Sequence, residues 1–211
     1  TGGADGGEPM AMIETDGLTK EYGDVTAVGD VDLAVERGDI HGFVGHNGAG
    51  KTTTMQMLTG LVTPTEGEAY IGGDPAGTRA ARERIGYAPQ DPAFYGSMSG
   101  RDYLAYMAEL SAVEESPRER ADELLEWLDL TGAADQAVDG YSGGMLRRLA
   151  VGQAMLGEPD LLILDEPTAA LDPEGRAMII DALETLTDDG TTIFVSSHVL
   201  TELEQFIDTV T

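Results

Sequence analysis

The stretch GHNGAGKT at positions 45–52 matches the phosphate-binding pattern G-x-x-x-x-G-K-[ST] and decides the fold that this chain is expected to adopt. Glycines in such a loop let backbone N–H groups converge on an anion, and the following helix adds its positive N-terminal end. Lys51 supplies a mobile positive charge for the β- and γ-phosphates of a nucleotide, and Thr52 offers a hydroxyl to Mg²⁺. A strand predicted at 40–44 precedes the loop and a helix follows it, so a chance glycine-rich turn is the weaker interpretation.

Strand and helix patterns alternate on both sides of this loop. Short strands are predicted at 31–35, 40–44, 68–71, 84–88, 161–164 and 191–196. Between residues 92 and 157 the apolar spacing becomes mainly helical. The pattern predicts an α/β fold with a largely parallel sheet, formed by residues 12–91 and 158–211, and a helical subdomain inserted at 92–157.

The apolar stripes of the predicted helices give the expected core. The helix after the phosphate loop is expected to bury Met55, Leu58 and either Leu61 or Val62. The further stripes comprise Tyr103, Leu104, Met107 and Leu110 or Ser111; Ala121, Leu124, Leu125 and Leu128; Leu146, Leu149, Ala150, Gln153 and Ala154; and Ile179, Leu183 and Leu186. Asp172 and Pro173 stand where an N-cap and a first helical residue belong.

Charge is the unusual property of the composition. The 211 residues include 39 Asp and Glu but only 12 Lys and Arg, for a net charge of −27. Self-repulsion of this size is reduced by molar salt, which shortens the screening length to about 3 Å. The balance resembles that of proteins from salt-accumulating halophiles, and it opposes nonspecific binding to nucleic acid.

The ends and the apolar runs add further expectations. Residues 1–11 are rich in glycine and acidic residues, so a flexible tail without a secretory signal is predicted there. No apolar run approaches the ~20 residues that a membrane helix needs, and the absence of cysteine excludes disulfides and thiolate metal sites.

Two carboxylates follow an apolar strand in the stretch LLILDE at 161–166. A strand of a parallel sheet delivers the side chains at its C-terminal end to the crevice where such sheets bind ligands. Asp165 is predicted to hold Mg²⁺, directly or through water, and Glu166 to orient and polarise an attacking water. A helix cap or a solvated turn is the alternative.

A second anion cradle is predicted in the stretch YSGGM at 141–145. Small residues at a helix start expose backbone N–H groups, with Ser142 as the N-cap. A second phosphate-binding element in one chain is explained if two chains share one nucleotide, and a plain helix cap is the alternative.

The phosphate loop at 45–52, the stretch at 141–145 and the acidic strand end at 161–166 follow one another along the chain. With its motifs in this order, the chain resembles the ABC (ATP-binding cassette) ATPase family, whose signature reads Leu-Ser-Gly-Gly-Gln. Tyr141 and Met145 depart from its first and last positions, and the resulting variant is similar to that of prokaryotic drug and small-molecule exporters. The resemblance implies a P-loop NTPase (RecA-like) core, an N-terminal antiparallel β subdomain and an inserted helical subdomain. It also implies ATP, Mg²⁺, a head-to-tail dimer with an identical or different ATPase subunit, and integral membrane permease subunits at the cytoplasmic face of the membrane, without nucleic acid.

The resemblance further implies roles for single residues. Tyr22 would stack on adenine, although a core tyrosine is the alternative. Gln90 would touch Mg²⁺ or water at a hinge, and His198 would contact the γ-phosphate; a polar turn residue and an incidental histidine are the respective alternatives. The loop 170–172 would communicate across the dimer, with Asp172 also acting as a helix cap. The expected catalytic residues are Lys51, Gln90, Glu166 and His198. Mg²⁺ ligands are expected from Thr52, Gln90 and Asp165. The expected nucleotide contacts are Tyr22, Gly45, His46, Asn47, Gly48, Ala49, Gly50, Lys51, Thr52, Thr53, Ser142, Gly143 and Gly144.

Other functions fit the sequence less well. DNA-maintenance relatives of the family carry long coiled-coil insertions, whereas Gln90 and Ser142 here are 142 − 90 = 52 positions apart and lack sustained heptads. Translation-related members usually contain two cassettes, and a nucleotide-binding regulatory module would not need Glu166 and His198. Family members usually continue beyond the helix after His198, so the C-terminal end of the chain is expected to be truncated.

Overall fold

The computed structural model describes residues 11–111, 116–169 and 171–211. Two sheets and several helices make up this part of the chain. The strands are β1 (Ile13–Tyr22), β2 (Val25–Val35), β3 (Ile40–Val44), β4 (Glu66–Ile71), β5 (Asp74–Pro75), β6 (Ile85–Ala88), β7 (Leu161–Leu164), β8 (Thr192–Ser197) and β9 (Thr209–Val210). The helices are α1 (Lys51–Leu58), α2 (Arg79–Glu83), α3 (Gly100–Leu110), α4 (Pro117–Trp127), α5 (Gly143–Ala154), α6 (Pro173–Asp188) and α7 (Leu200–Leu203), with 3₁₀ turns at Thr131–Ala133 and Val138–Gly140.

The larger sheet is parallel and has the strand order β6-β7-β8-β3-β9. The smaller sheet is antiparallel, with the order β2-β1-β4-β5. The predicted α/β class, with a largely parallel sheet and an N-terminal antiparallel β region, is therefore confirmed. The strands predicted at 40–44 and 161–164 have the same bounds as β3 and β7.

The parallel sheet is buried on both faces, as a sheet of this kind requires. Leu161 and Ile163 of β7 pack into a core shared with the antiparallel sheet and α1. Leu162 and Leu164 point the other way, into a core shared with α3, α4, α5 and α6. Because the strand carries apolar residues on both faces, its sequence shows no alternation, and only its polar C-terminal end reaches the surface crevice.

Three helices, α3, α4 and α5, lie within the segment 92–157 that was predicted as a helical subdomain. They pack through the buried side chains of Leu104, Leu125 and Leu149. A Cβ on Gly152 would lie 2.6 Å from Cδ1 of Leu128, so α5 approaches this neighbouring segment closely. The helix begins at Gly143, which places the predicted second cradle at its N-terminus.

Helix α1 is shorter than predicted. It ends at Leu58, and Leu61 is 67% exposed, so the alternative that buried Leu61 is wrong, whereas Val62 packs against the core. Gly60 has φ +74°, and a Cβ there would lie 2.2 Å from Cα of Gly77. Only glycine fits this close approach of two backbone segments, and the chain leaves the helix there.

Three smaller differences concern the ends of predicted elements. Leu110 and Ser111 are exposed, so neither continues the buried stripe of α3, in which Ala108 is the last buried residue. Ala11, the last residue of the predicted tail, is buried, whereas residues 1–10 lie outside the described residues. None of the helices in the described ranges has the length and apolarity that a membrane crossing needs.

Candidate active site

The loop between β3 and α1 is shaped by glycines in the left-handed region. Gly48 and Gly50 have φ of +84° and +91°. A Cβ on Gly50 would lie 2.4 Å from the carbonyl O of Ala27, which closes this position to every residue with a side chain. The loop therefore curls against β2 and turns its backbone toward the start of α1, as an anion cradle requires.

Lys51 is the first residue of α1 and is only 8% exposed. Its Nζ donates to the carbonyl O of Gly45 at 2.6 Å and to that of His46 at 3.4 Å. Nζ also lies 3.4 Å from Oε1 of Glu166. The ammonium is thus held at the cradle by two loop carbonyls and one carboxylate.

Asp165 is a buried carboxylate with both oxygens occupied. Its Oδ2 accepts a hydrogen bond from Thr52 Oγ1 at 2.6 Å, and its Oδ1 accepts one from Ser196 Oγ at 2.7 Å. Hydroxyl and carboxylate oxygens are the donors that Mg²⁺ takes, usually together with water and substrate phosphates. The Thr52–Asp165 pair therefore fits a magnesium ion at this end of β7.

Glu166 links the loop to β8. Its backbone has φ +53°, which is unusual for a residue with a side chain, and its N–H donates to Ser196 Oγ at 2.9 Å. Its Oε2 lies 2.6 Å from Nδ1 of His198, while Oε1 faces Lys51. An ionised carboxylate can only accept, so the Glu166–His198 bond requires the proton on Nδ1.

These side chains line one cleft of about 370 Å³. Its walls are formed by Val25, Thr26, Ala27, Asn47, Gly48, Gly50, Lys51, Thr52, Thr53, Gln90, Asp165 and Glu166. Six of the nucleotide contacts predicted in the loop 45–53, together with Gln90 and both acidic residues, therefore meet in one place. The cleft is open to solvent beside Val25, whose exposed fraction is 65%.

Tyr22 lies at the rim of this cleft rather than among its lining residues. It is the last residue of β1, pairs with Val25 of β2 and is 52% exposed. The Nζ of Lys20 lies 5.1 Å from the centroid of its ring. The alternative of a buried core tyrosine is therefore wrong. His46 is exposed, and its Nδ1 contacts the carbonyl O of Asn47 at 2.9 Å.

The second predicted cradle is at the exposed N-terminus of α5. Ser142 Oγ accepts a hydrogen bond from the backbone N–H of Met145 at 3.2 Å, and Met145 Sδ accepts one from the N–H of Ser142 at 3.5 Å. Met145 thereby occupies the position that Glu or Gln takes in a capping box. Ser142 and Gly143 are exposed, and among the described residues a Cβ on Gly143 would meet nothing within 4 Å.

The loop after β7 runs from the first site toward this second one. Leu171 is buried, and a Cβ on Gly144 would lie 3.3 Å from Leu171 Cδ2. Asp172 caps α6, since its Oδ1 accepts from the N–H of Gly175 at 2.8 Å, as the helix pattern predicts. Ala170, the first residue of the predicted cross-dimer loop, lies outside the described residues.

Ser196 is a site residue that the sequence patterns did not reveal. In the parallel pairing of β7 with β8, Leu164 lies opposite Val195, so Asp165 and Ser196 are the next residues along the two strands. Only the register of these two strands could have identified Ser196 as a partner of Asp165. Burial and the charge of Asp165 raise the pKa of Tyr87 in β6 to about 12, so its hydroxyl stays neutral.

Comparison with known proteins identifies the family of this chain. The family model described as "ABC transporter" matches residues 28–169. The chain is 43% identical over 201 residues to Nod factor export ATP-binding protein I of Cupriavidus pinatubonensis. This alignment covers 92% of this chain and 61% of that protein. It is 40% identical over 200 residues to bacitracin transport ATP-binding protein BcrA of Bacillus licheniformis, with 93% and 65% covered.

A solved structure is similar over most of its length. This is an ATP-binding cassette determined as a dimer in a post-hydrolysis state bound to ADP and Pi, with a TM-score of 0.82, 26% identity and 90% of each chain covered. Such similarity defines a nucleotide-binding cassette of the P-loop NTPase type. The chain belongs to the ABC transporter family, and it spans less than two thirds of the length of the two relatives named above.

Proposed function

We propose that this chain binds and hydrolyses ATP to drive export of a small molecule through separate membrane-spanning subunits, at the cytoplasmic face of the membrane. One observation carries the proposal. Lys51, Asp165 and Glu166 line one cleft, whereas Ser142 and Gly143 are exposed and are not among the residues that line it. This arrangement supports a site in which the cleft would supply one half and the Ser142 cradle of a second subunit the other. The export of Nod factor and the transport of bacitracin, named for two relatives, support the transport part.

In this proposal the loop at 45–53 binds the phosphates of ATP. The loop residues His46, Asn47, Gly48 and Ala49 would contribute backbone N–H groups, and Tyr22 at the rim would stack on the adenine, a contact worth about 1–3 kcal/mol. Lys51 would turn its ammonium from the carbonyl O of Gly45 and from Glu166 toward the β- and γ-phosphates. Nucleotide binding would then release Oε1 of Glu166, which lies 3.4 Å from Nζ of Lys51.

Thr52, Asp165 and Gln90 would hold Mg²⁺ beside these phosphates. The ion supplies positive charge that offsets the charge on the phosphate oxygens during transfer. Ser196 keeps Asp165 in place, because its hydroxyl occupies the second carboxylate oxygen at 2.7 Å. Gln90 is exposed on the wall of the cleft, where its amide is available to a ligand.

Glu166 would accept a proton from the water that attacks the γ-phosphorus in line with the leaving ADP oxygen. General-base catalysis contributes roughly 10²- to 10⁴-fold. His198 donates from Nδ1 to Glu166 in the free protein and would hydrogen-bond the γ-phosphate and the attacking water when nucleotide is bound. The products are ADP and inorganic phosphate.

A second subunit, identical or different, would complete each site head-to-tail. Ser142 and Gly144 of one subunit would then meet the γ-phosphate bound in the other. In the capping box the N–H groups of Ser142 and Met145 are already used, which leaves those of Gly143 and Gly144 for the anion. Leu171 and Asp172 would lie at the same interface.

Two parts of the chain would have different roles in the transport cycle. Residues 12–91 and 158–211 would form the nucleotide-binding core, and the inserted segment 92–157 would transmit closure of the dimer to the permease.

A regulatory module without turnover would bind ATP equally well. Phosphate release by the purified protein distinguishes the two, with Glu166→Gln as the control that keeps the fold and ATP binding. Steady release that the variant loses supports the ATPase, whereas equal rates in both proteins contradict it.

We further propose that the protein works in concentrated salt, as in a halophile. The net charge of −27 supports this, because mutual repulsion of carboxylates destabilises the compact state in dilute buffer. The free energy of unfolding should then rise steadily between low and molar KCl. A value independent of KCl contradicts the proposal and leaves the ATPase unaffected.

A further inference from the structure

The side chain of Arg147 connects helix α5 to the wall of the nucleotide cleft. Its Nη1 donates to the carbonyl O of Gln90 at 2.7 Å and to that of Pro89 at 3.4 Å. Pro89 and Gln90 directly follow β6, and Gln90 lines the cleft. The helix that begins at the second cradle is therefore tied to the backbone of a residue in the first site.

Arg147 is partly buried in an acidic surrounding. Burial lowers its pKa, and the carboxylates of Asp91, Asp165 and Glu166 oppose this shift. A guanidinium remains charged under these conditions and donates in fixed directions, so it can hold two neighbouring carbonyls at once. Its positive charge also lies within the electrostatic reach of the two acidic residues proposed to handle Mg²⁺ and water.

The neighbouring Arg148 makes a different set of contacts. Its Nη1 donates to the carbonyl O of Leu128 at 3.0 Å and to that of Asp129 at 3.1 Å, both within the helical segment, and it lies 3.5 Å from Sδ of Met178 in α6. Successive residues on a helix point about 100° apart, which separates the two arginines. Of this pair, Arg147 is the one whose guanidinium bonds to the wall of the nucleotide cleft, at Pro89 and Gln90.

We propose that Arg147 is a positioning residue for ATP hydrolysis that acts through Gln90. It holds the peptide of Gln90 so that the amide side chain faces the cleft when α5 brings its own cradle to the partner. Movement of α5 would move this peptide in turn. The inference rests on the proposed function and adds a specific link between the two cradles.

The test is a double-mutant cycle on ATP hydrolysis by the purified protein, with Arg147→Met, Gln90→Ala and the double variant. Arg147→Met should lower kcat about tenfold, the loss expected for hydrogen bonds from a charged donor. The dissociation constant of ATP should stay within about twofold, because Arg147 does not line the cleft. In the Gln90→Ala background the same change should alter kcat by less than about twofold, since residues acting as a unit are not additive.

Arg118→Met is the matched control, because Arg118 is exposed in α4 and pairs only with Asp102 at 3.5 Å in the described structure. It should leave kcat unchanged. If Arg147→Met does not fold, Arg147→Lys completes the same cycle with a smaller loss of about threefold, as a point charge replaces the planar donor.

Two results overturn the inference: an unchanged kcat in the Arg147 variants, or a loss of equal size with and without Gln90. Both presuppose that the unsubstituted protein hydrolyses ATP. Absence of any hydrolysis by that protein contradicts the proposed function itself, so the two failures are distinguishable.

Discussion

Oε2 of Glu166 lies 2.6 Å from Nδ1 of His198, and the same carboxylate presents Oε1 to Nζ of Lys51 at 3.4 Å. One carboxylate therefore joins the phosphate loop to the end of β8. Both of its oxygens are engaged, and in the proposed mechanism ATP would draw Lys51 toward the phosphates and His198 toward the γ-phosphate and the attacking water. Glu166 would thereby become free to act on that water.

Replacing His198 should weaken hydrolysis more than binding. His198→Ala removes the hydrogen bond to Glu166, and bonds to charged groups are worth about 1.5–3 kcal/mol, or roughly 10- to 100-fold in kcat. The ATP dissociation constant should change less than kcat, because the phosphate loop and the proposed Mg²⁺ ligands keep their contacts with the nucleotide. His198→Gln should recover part of the rate. Thr201→Ala, at an exposed position in α7, is the control, and an unaltered rate in His198→Ala would refute the role.

Ser196→Ala should lower the stability of the protein. The hydroxyl donates to Asp165 Oδ1 and accepts from the N–H of Glu166, so its removal leaves two buried polar groups unsatisfied. Each costs about 1–3 kcal/mol, and the free energy of unfolding should fall by roughly 2–4 kcal/mol in denaturant titrations. Ser97 is on the exposed surface, and Ser97→Ala should lower the free energy of unfolding by less than about 0.5 kcal/mol. Equal stability of the two variants would contradict the geometry.

The two cradles should respond differently to an added methyl group. Gly50→Ala places a Cβ 2.4 Å from the carbonyl O of Ala27 at φ +91°, so we expect lower stability and ATP binding weakened at least about tenfold. In Gly143→Ala the added methyl group meets none of the described residues within 4 Å, so this variant should fold and bind ATP normally. Its hydrolysis rate should nevertheless fall, because the methyl group would face the partner in the proposed dimer. Thermal unfolding, ATP titration and phosphate release separate these effects.

His41 gives the protein a dependence of stability on pH. Burial lowers the pKa of His41 below its ordinary value of 6.5, and its two ring nitrogens contact Thr209 Oγ1 at 2.7 Å and Thr211 Oγ1 at 3.1 Å. Below about pH 6.5 the unfolded chain therefore binds a proton that the folded protein resists. The free energy of unfolding should fall as the pH drops through this range, and His41→Gln should reduce the slope. The same slope in both proteins would exclude His41 as its cause.

Local patterns in the sequence predicted much of the fold and the site. The bounds of β3 and β7 and the caps at Ser142 and Asp172 could be read from neighbouring residues, because each depends on interactions within a few positions. The end of α1 could not, since it depends on contact between Gly60 and Gly77.

The supporting contacts of the site were missed for the same reason. Ser196 and Asp165 are 31 positions apart and meet through the register of two neighbouring strands. Arg147 and Gln90 are 57 positions apart. Neither residue belongs to a motif that names its partner. Sequence patterns therefore identified the residues proposed to contact the nucleotide, and the structure was needed for those that hold them.

Cross-linking tests the central claim, that a nucleotide is enclosed between the phosphate loop of one subunit and the Ser142 cradle of another. The sequence has no cysteine, so Asn47→Cys and Gly143→Cys can be introduced into the Glu166→Gln protein as the only thiols. With ATP, Mg²⁺ and a short bis-maleimide, we predict a covalent dimer in the double-cysteine protein, and far less without ATP or with either cysteine alone. A double-cysteine protein that binds ATP but stays monomeric under these conditions would contradict the account.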